Sequence, residues 1–287
     1  MIINNVGHLI GLSRMVILSI GAMLVFAFIT LAILRVRDDQ EVNNIWRSLE
    51  STPTETRFTP EMVAKLPPPV QRYFLHAIAP GTPIANSVSL EMSGSFRLGT
   101  DKPWLPMQAK QIISASKGFV WKPVIGSSFM QMVGEDYYAN KSGRMRFYLW
   151  GLIPLVNAQN SDINRAAIGR FVGESFWLPS ALLPQSGVTW KAIDDNTIQA
   201  SLKIDDEPVT LTMVIDSEGK LLKLSFPRWG EHTDDGSHTY IPFGGEYQQE
   251  KTFSGYTIPS QTSAGWWFGT DRYYEFFRAK IERAEFR

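Results

Sequence analysis

The chain has 287 residues, 20% charged and 44% hydrophobic, with 9 Trp and 17 Phe, which is ample apolar mass for one large folded domain and excludes global disorder. Formal charge is +0, but Arg14, Arg35 and Arg37 precede all 28 acidic groups, so the remainder is slightly acidic and lacks the clustered basic excess that nucleic acid binding needs. Cysteine is absent, which excludes disulfides, thiolate catalysis, cysteine-ligated metals and a lipidated cysteine anchor.

The first element is apolar. Twenty residues from Met15 to Leu34 carry no charge, and as a helix they span about 30 Å, the hydrocarbon thickness of a bilayer. Twelve of them are Val, Ile, Leu or Phe, and at about 0.3 to 0.6 kcal/mol each they favour insertion by roughly 4 to 7 kcal/mol. A cleaved signal peptide needs a shorter apolar region and a small-x-small site. Here Ile33-Leu34-Arg35-Val36-Arg37 follows instead, so residues 1–37 are expected to be a transmembrane anchor with its flanks, and the bilayer its partner. Arg14 on one side against Arg35 and Arg37 on the other leaves the positive-inside comparison nearly balanced.

Residues 38–83 read as a helical linker region. Val42, Ile45, Trp46 and Leu49 recur at helical spacing, and 51–59 is a polar break. Thr59, Pro60 and Glu61 then place an N-cap, a first-turn proline and a first-turn acid. A short helix is expected from Val70 to Ile78, with Val70, Tyr73, Phe74 and Ala77 on one face.

Residues 84–287 read as an antiparallel β-rich domain. Val88, Leu90, Met92, Gly94, Phe96 and Leu98 alternate with polar residues, as a strand with one dry face does. The alternation returns at Ile198 to Ile204, Val209 to Ile215 and Leu222 to Phe226, separated by short turns such as Asp194-Asp195-Asn196. Connections this short join only antiparallel neighbours, so 188–229 is expected to be a β-meander. One helix is inserted near 161–173, capped by Ser161 or Asp162, with Ile163, Ala167 and Phe171 on one face. The expected class is therefore α+β, mainly antiparallel β, as a half-open barrel or strongly curved sheet with a few helices and one N-terminal transmembrane helix.

Two segments carry a resemblance: Leu66-Pro67-Pro68-Pro69-Val70-Gln71-Arg72-Tyr73-Phe74, and Glu174-Ser175-Phe176-Trp177-Leu178-Pro179-Ser180-Ala181-Leu182-Leu183-Pro184 followed by Val188-Thr189-Trp190. They resemble an uncharacterised bacterial family of membrane-anchored proteins, which implies no reaction. Gly255-Tyr256-Thr257-Ile258-Pro259-Ser260 and the Trp- and Tyr-rich strands after it resemble, at the level of fold, the outer-membrane lipoprotein carrier group, whose half-open barrel shelters lipid. The resemblance implies an inner-membrane, single-pass location with the domain facing the periplasm or the outside.

No P-loop, G-x-S-x-G or H-E-x-x-H is present, so no catalytic residue and no cofactor is assigned. His232, Asp234 and His238 are metal-capable, but their spacing matches no zinc motif and the segment has ordinary loop chemistry, so no metal is expected. Asp194 and Asp195 read as hairpin residues rather than paired catalytic acids, and Asp136 as a turn acid. Glu174 sits among Phe171, Val172, Phe176, Trp177 and Leu178; it reads either as an acid or base raised by burial or, preferred, as an ion-pair partner of Arg170 or Arg165. Trp121, Trp177, Trp190 and Trp229 can build a core or line an apolar cavity, and with Glu174 they form the candidate ligand-binding set. Three functions stay open: a non-catalytic envelope module for a lipid-like or other apolar ligand, an interaction or assembly factor, and an enzyme using Glu174.

Overall fold

The computed structural model describes residues 2–52, 54–127 and 129–287, with side chains from Met15 onward, so the Arg14 side chain lies outside the described residues. The chain divides into two compact units, Met1–Asn43 and Asn44–Arg287.

The first unit consists of most of α1 (Ile2–Leu49), a single continuous helix. The sequence suggested an anchor followed by a separate helical linker. The first part of that linker, as far as Leu49, continues the anchor helix without a break, because neither glycine nor proline occurs between Gly21 and Pro53, and Arg35 pairs with Asp39 one turn later at 2.8 Å. Among the described residues this is the one helix long and apolar enough to cross a membrane, and its apolar side chains from Met15 to Leu34 are largely exposed around its circumference.

In the second unit, a 3-10 turn at Pro60–Met62 precedes α2 (Pro68–Ala77), which buries Val70, Tyr73, Phe74 and Ala77 on the expected face. Leu66-Pro67-Pro68-Pro69 starts this helix, because proline lacks only an N–H that the first turn leaves unpaired.

Six strands follow in meander order: β1 (Ser87–Phe96), β2 (Leu105–Ser114), β3 (Gly118–Ser127), β4 (Met130–Ala139), β5 (Ser142–Leu149) and β6 (Ile153–Ala158). Next come α3 (Ser161–Gly173) and three 3-10 turns between Ser175 and Ser186. A second meander completes the chain: β7 (Thr189–Ala192), β8 (Thr197–Ile204), β9 (Glu207–Ile215), β10 (Leu221–Gly230), β11 (Thr239–Phe253), β12 (Tyr256–Trp266) and β13 (Tyr274–Phe286). The predicted meander over 188–229 is thus present as β7 to β10.

The two meanders join where β1 pairs with β13, from Val88 opposite Phe286 to Phe96 opposite Phe277. The result is one antiparallel sheet of thirteen strands among the described residues, ordered β6-β5-β4-β3-β2-β1-β13-β12-β11-β10-β9-β8-β7. It is strongly curved and not closed. Register shifts at Glu91/Met92, between Tyr247 and Glu250, and at Ala264/Gly265 bend the central strands, since an extra residue on one side of a ladder increases local twist. The wings approach each other where Tyr138 bonds to Asp205 and Lys141 lies 3.7 Å from it.

This topology determines where α3 lies. β6 and β7 are opposite edges of the sheet, so their connection must cross a face, and α3 packs against β4, β5, β9 and β10. Asn160, rather than Ser161 or Asp162, caps the helix by accepting the Ile163 N–H at 2.8 Å. Asp162 turns instead to Trp229. The alternation of β1 stops at Phe96, and Leu98 is 59% exposed, because the chain enters the turn around Gly99.

Candidate functional site

Between α3 and the concave face of the sheet lies a cavity of about 300 Å³, at the small end of the range for small-molecule sites. Its wall follows from strand periodicity. Leu224, Phe226 and Arg228 of β10, Phe243, Gly245 and Tyr247 of β11, and Thr262, Ala264 and Trp266 of β12 are each two residues apart and share the inner face. From α3 come Ile163, Ala166, Ala167, Arg170, Gly173 and, just past the helix, Glu174, the spacing of one helical face. Gly173 lets the helix sit close: a Cβ there would stand 2.6 Å from the Phe226 ring.

One polar cluster interrupts this apolar wall. Arg170 donates from Nη1 to Asp136 at 2.6 Å and from Nε to Glu174 at 2.9 Å, and Gln111 donates to the other Glu174 oxygen at 2.6 Å. The guanidinium lies over Trp121, 4.6 Å from the ring centroid, and over Phe119 at 5.0 Å. Burial works against the Arg170 charge, but Glu174 and Asp136 outweigh it and hold the pKa above the ordinary arginine value. Of the two partners proposed for Glu174, Arg170 is the one present, while Arg165 pairs with Glu207 at 3.1 Å. Asp136 is not a turn acid. It lies inside β4 opposite Trp121, so its side chain follows the strand's phase into the cavity.

Glu174, Trp121, Trp177 and Trp229 all line the cavity. Trp177 is buried and donates its indole N–H to the Pro259 carbonyl at 3.1 Å. Trp229 stands at the rim, donating to Asp162 at 2.9 Å beneath the Arg165 guanidinium. Trp190 is elsewhere: it packs on Tyr73 and Phe74 of α2 and donates to the Leu182 carbonyl at 2.9 Å. Asp194 accepts the N–H groups of Asn196 and Thr197 at 2.8 and 2.7 Å, as a hairpin residue does, and these bonds lower its pKa. His232 and His238 both line the cavity. Asp234 is pulled away from them by Arg272 at 2.6 Å, and among the described residues no group of three metal-capable side chains forms.

Arg228 is the site residue that the sequence reading missed. Its signal was present: it continues the inward phase of Leu224 and Phe226, where a charged residue is out of place. Burial, reinforced by the Arg170 charge, pushes its pKa down to about 10, which leaves it cationic at neutral pH. His232 is also shifted down, first by burial and then by the Arg228 charge, so its imidazole is neutral at neutral pH.

Among curated proteins none matches the chain. Among solved structures it is similar to a LolA superfamily protein from Nitrosomonas europaea, with 11% identity and a TM-score of 0.44 over 76% of this chain and 92% of that one. It is also similar to a DUF1329 family protein from Desulfovibrio piger, with 11% identity and a TM-score of 0.32 over 70% of this chain and 86% of that one. Residues 64–286, which include the whole sheet and every residue lining the cavity, match the family of unknown function DUF6920, and the chain belongs to that family.

Proposed function

We propose that this protein is a membrane-anchored envelope module that holds a lipid-like or other apolar ligand in the cavity under α3 and does no chemistry on it. The observation that carries the reading is the cavity itself. A concave space of about 300 Å³ beneath a helix, lined mainly by apolar and aromatic side chains with a few polar groups, has the size and lining of a site for a small apolar ligand. The polar cluster supports binding rather than turnover, since both Glu174 oxygens are already engaged by Arg170 and Gln111.

The test is uptake of a neutral naphthylamine dye by the full chain in lipid nanodiscs. Ala264→Phe projects a ring from β12 into the cavity and should lower dye affinity at least about tenfold, while overpacking costs about 1 to 3 kcal/mol of stability. A folded Ala264→Phe protein that takes up dye like wild type removes the cavity as the site. For the anchor, full-length protein should stay with the membrane under alkaline extraction. Its appearance in the wash refutes anchoring by Met15 to Leu34.

The reading as an interaction or assembly factor draws on a different feature. The neighbouring β3–β4 and β5–β6 hairpins expose Phe129, Met130, Trp150, Ile153 and Leu155, with Phe129 94% exposed, and Trp150 bonds to the Gln131 carbonyl at 2.8 Å. Contiguous apolar surface of this kind is characteristic of contact sites. Normal dye uptake by a variant with polar residues at these five positions would separate this surface from the cavity.

A further inference from the structure

We propose that the ligand of the cavity is an acyl-chain amphiphile with one anionic headgroup, carboxylate or phosphate, received by Arg228 and His232, which both contact Trp266. This rests on the cavity being the binding site and adds the chemistry of the headgroup.

The two arginines of the cavity are in opposite situations. Arg170 is held by two carboxylates. Arg228 has, among the described residues, no carboxylate at ion-pair distance, and its one hydrogen bond is a long contact of 3.4 Å from Nε to the Ala166 carbonyl. A guanidinium carries five N–H donors, and the Nη groups of Arg228 have no protein acceptor among the described residues while Arg228 itself is only half-buried, so they stay open to a ligand in the cavity. Its position is nevertheless built. The side chain passes under α3 at Gly169, where a Cβ would stand only 3.2 Å from the Arg228 Cγ. Its guanidinium carbon is 4.6 Å from the Phe243 centroid and 5.1 Å from that of Trp266. Cation–π contact with two rings holds the guanidinium in place without using its N–H donors as ion-pair partners.

The two acids of the polar cluster do not substitute for a partner. Both Glu174 oxygens and Asp136 Oδ2 are taken up by Arg170 and Gln111, and the Arg170 charge works against Arg228 more than either carboxylate alone works for it. A ligand that brings its own anion gives the Arg228 donors a charge-assisted partner in place of water.

His232 supplies the second donor. Its ring lies 4.3 Å from Trp266, on the residue that Arg228 also contacts, and its side chain makes no hydrogen bond among the described residues. As a neutral imidazole it has one N–H to donate. A planar donor fork beside a single N–H suits an oxyanion with two or three oxygens. The rest of the cavity, with Phe96, Phe147, Phe176 and Phe276, suits a hydrocarbon chain.

The experiment uses the full chain in zwitterionic nanodiscs preloaded with the neutral dye, displaced by dodecanoate, dodecyl phosphate, dodecanol or dodecyltrimethylammonium. Wild type should prefer the anionic probes over dodecanol by about tenfold to a hundredfold, as charge-assisted hydrogen bonds imply, and should accept the ammonium probe least. Preference for the carboxylate or for the phosphate supports the proposal and tells which source the headgroup has. In Arg228→Gln the ratio of anion to alcohol should fall to about one, partition into the bilayer cancelling between the two proteins. Arg228→Lys, which keeps the charge without the fork, should fall between and covers the case in which Gln does not fold. His232→Phe should lower the ratio about threefold. Equal displacement by dodecanoate, dodecyl phosphate and dodecanol in wild type, or a ratio that survives Arg228→Gln, overturns the headgroup assignment while leaving the cavity reading intact. Failure of the dye to bind at all overturns both.

Discussion

Arg170→Met is expected to destabilise the second unit by about 3 to 5 kcal/mol, because it leaves Asp136 and Glu174 largely buried without their cation. The side chains of the three residues are 12%, 15% and 17% exposed, so water cannot replace the lost partner cheaply. Glu174→Gln is a milder change. Arg170 then keeps Asp136, and the expected loss is about 1 to 3 kcal/mol, the range for a hydrogen bond to a charged group. Denaturant unfolding of the full chain in detergent, followed by tryptophan fluorescence, measures both. If Glu174→Gln left the unfolding curve unchanged or shifted it upward, the ion pair would not be Glu174's main role, and a catalytic use of that carboxylate would become the leading reading.

Trp177→Ala should cost a similar amount, about 3 to 5 kcal/mol, for a different reason. Trp177 is 2% exposed, its ring stacks obliquely on Phe176 at 4.6 Å, and its N–H satisfies the Pro259 carbonyl. Removing it enlarges the cavity and orphans that carbonyl. Trp177→Phe keeps most of the packing and should lose only about 1 to 3 kcal/mol, for the unsatisfied carbonyl. A Trp177→Ala protein close to wild type in stability would mean that neighbouring side chains collapse into the space, and the cavity would then be too deformable to serve as a defined pocket.

Much of the architecture was legible locally. The uncharged stretch to Leu34, the amphipathic spacing of Tyr73 and Phe74, the period-two runs from Ile198 to Phe226 and the Asp194 turn each encode their conformation within a few residues. Errors fell where a local rule had two outcomes. Asp136 beside two tyrosines fits a turn or a strand, and pairing with β3 decides for the strand. Ser161, Asp162 and Asn160 are all competent caps, and only Asn160 has the extended backbone that aims its side chain at the Ile163 N–H. Trp190 and Trp177 are both large aromatics in the same segment, yet one packs under α2 and the other lines the cavity.

Sequence alone therefore determined which residues alternate, which face of each element is dry, and that the chain carries a span of membrane length, because these depend on neighbours a few positions apart. The site was decided by tertiary structure. Arg170 reaches Asp136 over 34 positions and Glu174 meets Gln111 over 63, contacts that no periodicity encodes. Behind both stands the pairing of β1 with β13. By placing the first and last strands side by side, it sends β6 and β7 to opposite edges and forces α3 across the concave face, and the cavity lies between that helix and the curve beneath it.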